Sequence, residues 1–241
     1  MIKALHIEFL KIKRSKLLIL ATFLPLFAAL QGGLFAVDMK GKEEDLWHFV
    51  YLGAMTQFSW FIFPLLITII LSIIARIEHH HDGWKQLFSL PVERENVYFS
   101  KLLIGFALII YSVIVYTVGL IIAGISVGAD SSIPYDMIVQ RPFLVIVASL
   151  PIIAIQFYVS MRFSHVGVPL MVGIGLALPS MLIANSAKYW IYYPWTYPIT
   201  SALTDTFGPL GKAEIMYTVC GLSFVVITAI GLIQFRTKDI I

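Results

Sequence analysis

Charge is what this chain has least of. Asp, Glu, Lys and Arg make up 13% of its 241 residues, where a soluble domain carries about 25%. With 59% hydrophobic residues and a mean hydropathy of +0.88, the composition excludes an ordinary soluble domain and points to a membrane protein. Cysteine is nearly absent. Cys220 alone excludes an intrachain disulfide framework and a Cys-based zinc site, and it reads as an inert apolar residue in a membrane helix. A phosphate-binding loop is missing as well. The nearest string, Gly208-Pro209-Leu210-Gly211-Lys212-Ala213, lacks the Gly-x-x-x-x-Gly-Lys-Ser/Thr spacing and the metal-binding hydroxyl. If ATP drives this protein, another chain hydrolyses it. No serine or histidine falls into a defensible nucleophile–base pair, so no catalytic residue is expected.

What the chain has instead is six stretches free of Asp, Glu, Lys and Arg: residues 17–37, 46–75, 102–129, 142–161, 163–187 and 215–235. A bilayer core about 30 Å thick takes about 20 apolar residues as a helix. Backbone groups find no water there, so each run must be helical. The expected spans are 17–37, 49–75, 102–127, 142–161, 165–185 and 214–235, in one membrane domain covering 1–241 without internal repeats. Gln57 and Gln156, with scattered Ser and Thr, are polar side chains within the runs. Such groups more often join helices than bind substrate. A proton- or ion-coupled transporter usually needs ionisable residues at membrane depth, so that class is disfavoured.

Lys and Arg placement sets the orientation. With the N-terminus cytoplasmic, Lys40, Lys42, Arg141, Lys188 and Lys212 lie outside and the other 12 of the 17 basic residues lie inside. Both termini are therefore expected in the cytoplasm. The apolar run after residue 16 is too long for a signal h-region of about 7–15 residues, and no small-x-small site closes it. A retained first helix is expected. Ile2, Leu5, Phe9 and Ile12 recur at helical spacing, with Lys3, Lys11 and Arg14 on the other side, so residues 1–16 read as an amphipathic interfacial helix suited to anionic lipid. A basic tail that only fixes topology is the plainer alternative.

Residues 186–213 form the longest external segment, crowded with Tyr189, Trp190, Tyr192, Tyr193, Trp195 and Tyr197. Such rings favour the headgroup level. Pro194, Pro198 and Pro209 exclude one straight helix, so short re-entrant or interfacial pieces are expected, acting as a contact for an amphipathic cargo or as a plain lipid anchor. Pro25, Pro64, Pro151, Pro169 and Pro179 are expected to kink their spans, as hinges or as packing features. Gly167, Gly173 and Gly175 place span five at a helix interface, within the chain or between subunits.

The one sizeable cytoplasmic loop covers residues 76–101. Its run His79-His80-His81-Asp82 looks like a metal site, but consecutive residues on a helix point about 100° apart and cannot converge on one ion, so a solvated stretch is expected and no metal. Asp82 can cap a short helix. Trp84, Leu87 and Phe88 share one face of it, and Pro91 ends it. An apolar knob flanked by charge results. It reads as a docking helix for a cytoplasmic partner, or as a hairpin whose Trp84 anchors to lipid.

An acid after span two, a short helix, then Leu-Pro-Val-x-Arg, a Tyr and a Lys opening span three resembles the permeases of the ABC-2 exporter family. The positions are Glu78, Trp84, Lys85, Leu87, Leu90, Pro91, Val92, Arg94, Tyr98 and Lys101. The layout is similar throughout, most of all to bacterial lantibiotic-immunity permeases. Trp84 departs from the pattern, standing where many relatives carry a small hydroxyl residue. The resemblance implies an all-α polytopic permease in the bacterial cell membrane, coupled through Glu78, Asp82, Trp84, Lys85, Leu87, Phe88, Leu90, Pro91 and Arg94 to a cytoplasmic ABC ATPase in two copies. ATP and magnesium would sit on that partner and no cofactor on this chain. A second permease subunit, identical or homologous, and membrane lipid complete the partners, with no nucleic acid. The cargo it implies is an amphipathic antimicrobial peptide. A small drug, lipid or polysaccharide precursor is the rival cargo, and a non-transporting membrane scaffold the rival class.

Overall fold

The computed structural model describes residues 5, 8–11, 16–41, 45–79, 93–129, 132–163, 165–207 and 211–237, with the backbone alone for 77–79. Among them there are helices and no strands. Helix α1 is Leu17–Asp38. Helix α2, Leu46–Gln57, passes through a π-helical turn, Phe58–Ile62, into α3, Phe63–His79. Helix α4, Arg94–Val127, is the longest. A second π turn, Asp136–Gln140, leads into α5, Arg141–Ala148, followed by α6, Leu150–Arg162. Then come α7, Gly167–Ala177, and α8, Ser180–Ala184. Two 3₁₀ turns, Trp190–Tyr192 and Pro194–Thr196, precede α9, Tyr197–Ala202, and α10, Thr204–Phe207. Helix α11 is Ala213–Thr237.

Five helical segments are long and apolar enough to cross a membrane: Leu17–Asp38, Leu46–Arg76, Arg94–Val127, Gly167–Ala184 and Ala213–Thr237. A sixth arises if Asp136–Ala148 and Leu150–Arg162, bent by 46° at their junction, count as one span. Local chemistry explains the ends. Asp45 accepts from the Trp47 N–H at 3.2 Å and caps α2. Gly128, at φ +84, turns α4 off in the left-handed conformation, with Ala129 N–H donating back to Gly124. Span three begins at Arg94, eight residues before the charge-free run, because charged residues are tolerated where a helix leaves the hydrocarbon. At 1.5 Å per residue its 34 residues reach about 50 Å, well beyond a core of about 30 Å.

Proline explains the irregular turns. Each π turn ends two residues before one, Pro64 and Pro142. The residue just ahead donates five positions back instead of four, Phe63 to Phe58 and Arg141 to Asp136. The proline ring crowds the carbonyl four residues before it, and widening the helix relieves that crowding. Pro151 removes the next donor and sets the bend at Ser149, whose hydroxyl donates to Val145 C=O at 2.7 Å.

The span made by α2 and α3 forms the centre. Its apolar window is 72% buried, against 17% for α11. α1 packs on α2 and α4, α6 on α3 and α11, and α7 on α3. Phe58 stacks on Tyr116 with centroids 3.9 Å apart. Lipid is as apolar as these side chains, so packing and interhelical hydrogen bonds must hold the bundle. Examples are Ser72 with Ser160 at 3.4 Å and Thr22 with Tyr111 at 2.9 Å. Gly173 of α7 lies against Thr68 and Gln156, where a Cβ would collide with both. Gly167 and Gly175 face open space, so one of the three glycines mediates an interface inside this chain. Cys220 is buried against α5.

The N-terminal segment is tied down by charge. Residues 8–11 are helical. Glu8, not Phe9, turns inward: Glu8 is 4% exposed and Phe9 61%. The expected division into an apolar face with Phe9 and a basic face therefore leaves out the residue that anchors the segment. Glu8 accepts from Lys101 Nζ at 3.0 and 3.1 Å and from Lys11 at 3.2 Å, and Lys101 is wholly buried. Removing one member of a buried pair strands the other, at a cost of about 3–5 kcal/mol, whereas replacing both with apolar groups is near neutral. Glu8→Ala is expected to lower the unfolding temperature in detergent sharply, and the double change Glu8→Leu with Lys101→Met to recover most of the loss. An unchanged melt for Glu8→Ala would show that the pair contributes nothing.

Candidate functional site

Chemistry-bearing side chains gather at the two ends of the bundle. The first end carries the start of α4 and the ends of α3, α6 and α11. Arg94 donates to the Arg236 carbonyl at 2.8 Å, and Arg236 in turn pairs with Glu95 at 3.2 Å. Tyr98 O–H donates to the Thr228 carbonyl at 3.2 Å. With Glu8 on Lys101, these bonds lash the N-terminal segment and α11 to the first two turns of α4. Of the expected coupling residues, Arg94 is thus engaged with α11. Glu78 lies in the last turn of α3, where the backbone alone is described. Asp82, Trp84, Lys85, Leu87, Phe88, Leu90 and Pro91, with His80 and His81, lie outside the described residues.

The opposite end is organised around Arg141, at the start of α5. Its guanidinium donates to Asp205 of α10 at 2.8 Å and to Asp136 at 3.3 Å, and it lies over the Tyr51 ring of α2 at 5.7 Å. Tyr51 O–H donates to the Ala202 carbonyl at 2.5 Å. One cation therefore joins three parts of the chain that are remote in sequence. The hydrogen bond from Arg141, helped by the charges of Arg141 and His48, holds the Asp205 carboxyl below its usual 3.8 against the opposing effect of partial burial.

The aromatic segment covers this end, and its rings divide. Trp190, Trp195 and Tyr197 are buried inside the protein, Tyr193 is half-buried, and Tyr189 and Tyr192 are exposed. Pro194 and Pro198 each occupy the first turn of a short helix, where a missing N–H costs nothing. Thr196 Oγ1 donates to the Trp190 and Tyr193 carbonyls at 2.7 Å, Tyr197 O–H to Ile191 at 2.6 Å, and Tyr193 O–H to Leu176 at 2.7 Å. Burial pushes the Tyr197 phenol up to about 12. The segment is a folded cover on α5, α7 and α11.

Beside it, α1, α2 and α8 to α10 enclose a groove of about 520 Å³. Gln31, Thr56, Gln57 and Thr206 supply its polar lining, and Phe35 and Phe207 its aromatic lining. The Gln31 Oε1 atom is buried with no hydrogen-bond partner among the described residues. Sequence reasoning passed over Gln31. The signal for it was one amide in an otherwise apolar helix, and its significance depends on lining the same groove as Gln57, which only packing decides. Gln156 is likewise buried, with neither amide atom bonded among the described residues.

A family model described as "ABC-2 family transporter protein" matches residues 4–180. No curated protein matches the chain, and no solved structure does.

The Arg141 clamp has a pH signature. A depressed carboxyl stabilises the fold fully above its unfolded value of 3.8, and the contribution fades as pH falls through the lower folded value. Asp205 is largely exposed, so solvent screening limits the pair to roughly 1 kcal/mol. Asp205→Asn is expected to melt slightly earlier than the parent at neutral pH in detergent, and the gap to close on acidification below 3.8. A gap that persists in acid would place its origin elsewhere.

Proposed function

Because the chain belongs to the ABC-2 transporter family, we propose that it is the permease subunit of an ATP-driven exporter that moves an amphipathic antimicrobial peptide out of the bacterial cell membrane. Two copies of a cytoplasmic ATPase, carrying ATP and magnesium, would grip residues 82–90. A second permease, identical or homologous, would complete the pathway, with both termini of this chain in the cytoplasm.

The family match over residues 4–180 carries the permease reading. The mechanism draws support from the ties around α4. Residues 80–92 join α3 to α4, so a pull on that segment acts on the first turn of α4. There Arg94 and Glu95 pass it to α11, and Lys101, further along α4, passes it to the N-terminal segment. Helix α4 then carries the displacement along its length to α1 and the groove beside it. The groove's mixture of amides, hydroxyls and aromatic rings suits a cargo with polar and apolar sides. Its volume also favours a second reading, a small amphipathic drug, since about 520 Å³ lies in the usual range for drug-sized ligands of about 300–1,000 Å³.

The test is made in cells that carry this chain with its ATPase and companion permease, challenged with peptides and small drugs. Trp84→Ala and Leu87→Asp are expected to abolish tolerance while expression persists. Loss of an anchoring residue at such an interface costs about 2 kcal/mol, or about 30-fold in ATPase affinity. Wild-type co-purification of the ATPase by both variants, with tolerance intact, would remove residues 82–90 from the coupling mechanism. Absence of any ATPase from the purified native complex would favour a scaffold instead. Tolerance that changes for drugs and not for peptides would transfer the assignment to the second reading.

A further inference from the structure

A pocket of about 370 Å³ lies where α6 and α11 end beside the start of α4, and the transport reading makes no use of it. Arg162, the last residue of α6, stands at its rim, exposed. Arg94 and Arg236 nearby are engaged, but Arg162 makes no ion pair or hydrogen bond among the described residues. Gln234 of α11 faces the same space. Its carbonyl accepts from Tyr158 O–H at 2.8 Å, and its two amide N–H groups have no acceptor among the described residues. The inner wall is apolar: Met161, Phe235 and the Tyr98 ring. Gly231 makes room for that wall, since a Cβ there would stand 2.5 Å from the Tyr98 hydroxyl.

Free donors at the rim and an apolar wall behind them match a ligand with an anionic oxygen group on an apolar body. The level is that of a membrane surface, because two spans terminate here. Charge selects further. The last-turn carbonyls of α6 and α11 bring partial negative charge to the site. They oppose a dianion such as inorganic phosphate more than a phosphodiester, which carries one negative charge. We propose that this pocket seats the headgroup of a membrane phospholipid, its phosphate on the Arg162 guanidinium and Gln234 amide and its glycerol portion over Tyr98, Met161 and Phe235. The lipid would bridge α6 and α11 at the end where the ionic ties of α4 converge. This binding requires neither cargo nor ATPase, so it stands apart from the transport assignment.

The experiment is native mass spectrometry of the full-length chain, purified in detergent and titrated with phosphatidylglycerol, with diacylglycerol or with inorganic phosphate. The wild type is expected to retain phosphatidylglycerol and to release diacylglycerol. Arg162→Gln, at an exposed position that folding does not depend on, is expected to weaken retention about tenfold, the loss of one charge-assisted contact. Arg162→Lys should restore part of it. Gly231→Ala keeps the charge and displaces the Tyr98 wall, and should also weaken retention. Equal retention by Arg162→Gln and the wild type would overturn the proposal. So would equal retention of diacylglycerol, and so would displacement of the lipid by millimolar inorganic phosphate, which would make the site a reader of free phosphate.

Discussion

Inside hydrocarbon a polar group that the chain does not satisfy has no water to turn to, and most features of this structure are responses to that condition. Backbone groups close on themselves as helices. At Pro64 and Pro142 the helix does not break but changes its local hydrogen bonding. Phe63 and Arg141 reach back five residues ahead of Pro64 and Pro142. Thr68 and Ser149 add hydroxyl bonds to the carbonyls of Pro64 and Val145. The 46° bend coincides with Pro151 beside Ser149, and the break between α7 and α8 coincides with Pro179.

The same condition sends ionic side chains to the two ends, and there they do the joining that apolar packing does poorly in lipid. At one end Glu8 and Lys101 pin the N-terminal segment to α4, while Arg94, Glu95 and Arg236 pin α11. At the other, Arg141 joins α5, the π turn and α10. Between the ends the contacts are hydroxyl bonds, close approach at glycine, and ring stacking in the central span. Such a bundle has firm ends and a middle held by weak, short-range contacts. That division suits a protein whose helices must shift against one another.

Much of the architecture was legible from charge alone. The charge-free runs fall on five segments long and apolar enough to cross a membrane and on one bent pair, because the cost of a charge in hydrocarbon is large enough to override other local preferences. The prolines of the 186–213 segment likewise announced short pieces, and short pieces are found. Side-chain destinations were less legible. The aromatic rings of that segment share one composition and still divide into buried Trp190, Trp195 and Tyr197 and exposed Tyr189 and Tyr192. A ring can lie at a lipid headgroup or pack inside the protein, and local sequence does not distinguish the two. Glu8 escaped attention because helical periodicity sorts residues into apolar and polar faces, and a buried carboxylate violates that sorting.

By itself, then, the sequence determined which segments leave water, which residues must stay near its boundary, and the family to which their arrangement belongs. These follow from transfer energies that each segment settles alone. Tertiary structure decided who meets whom: Glu8 with Lys101, 93 residues apart; Arg141 with Asp205, 64 apart; Gln31 and Gln57 in the lining of one groove; and Arg162 at the rim of a pocket, without a partner among the described residues. Those pairings depend on how helices rotate and tilt against one another, which is set by the summed packing of the whole bundle.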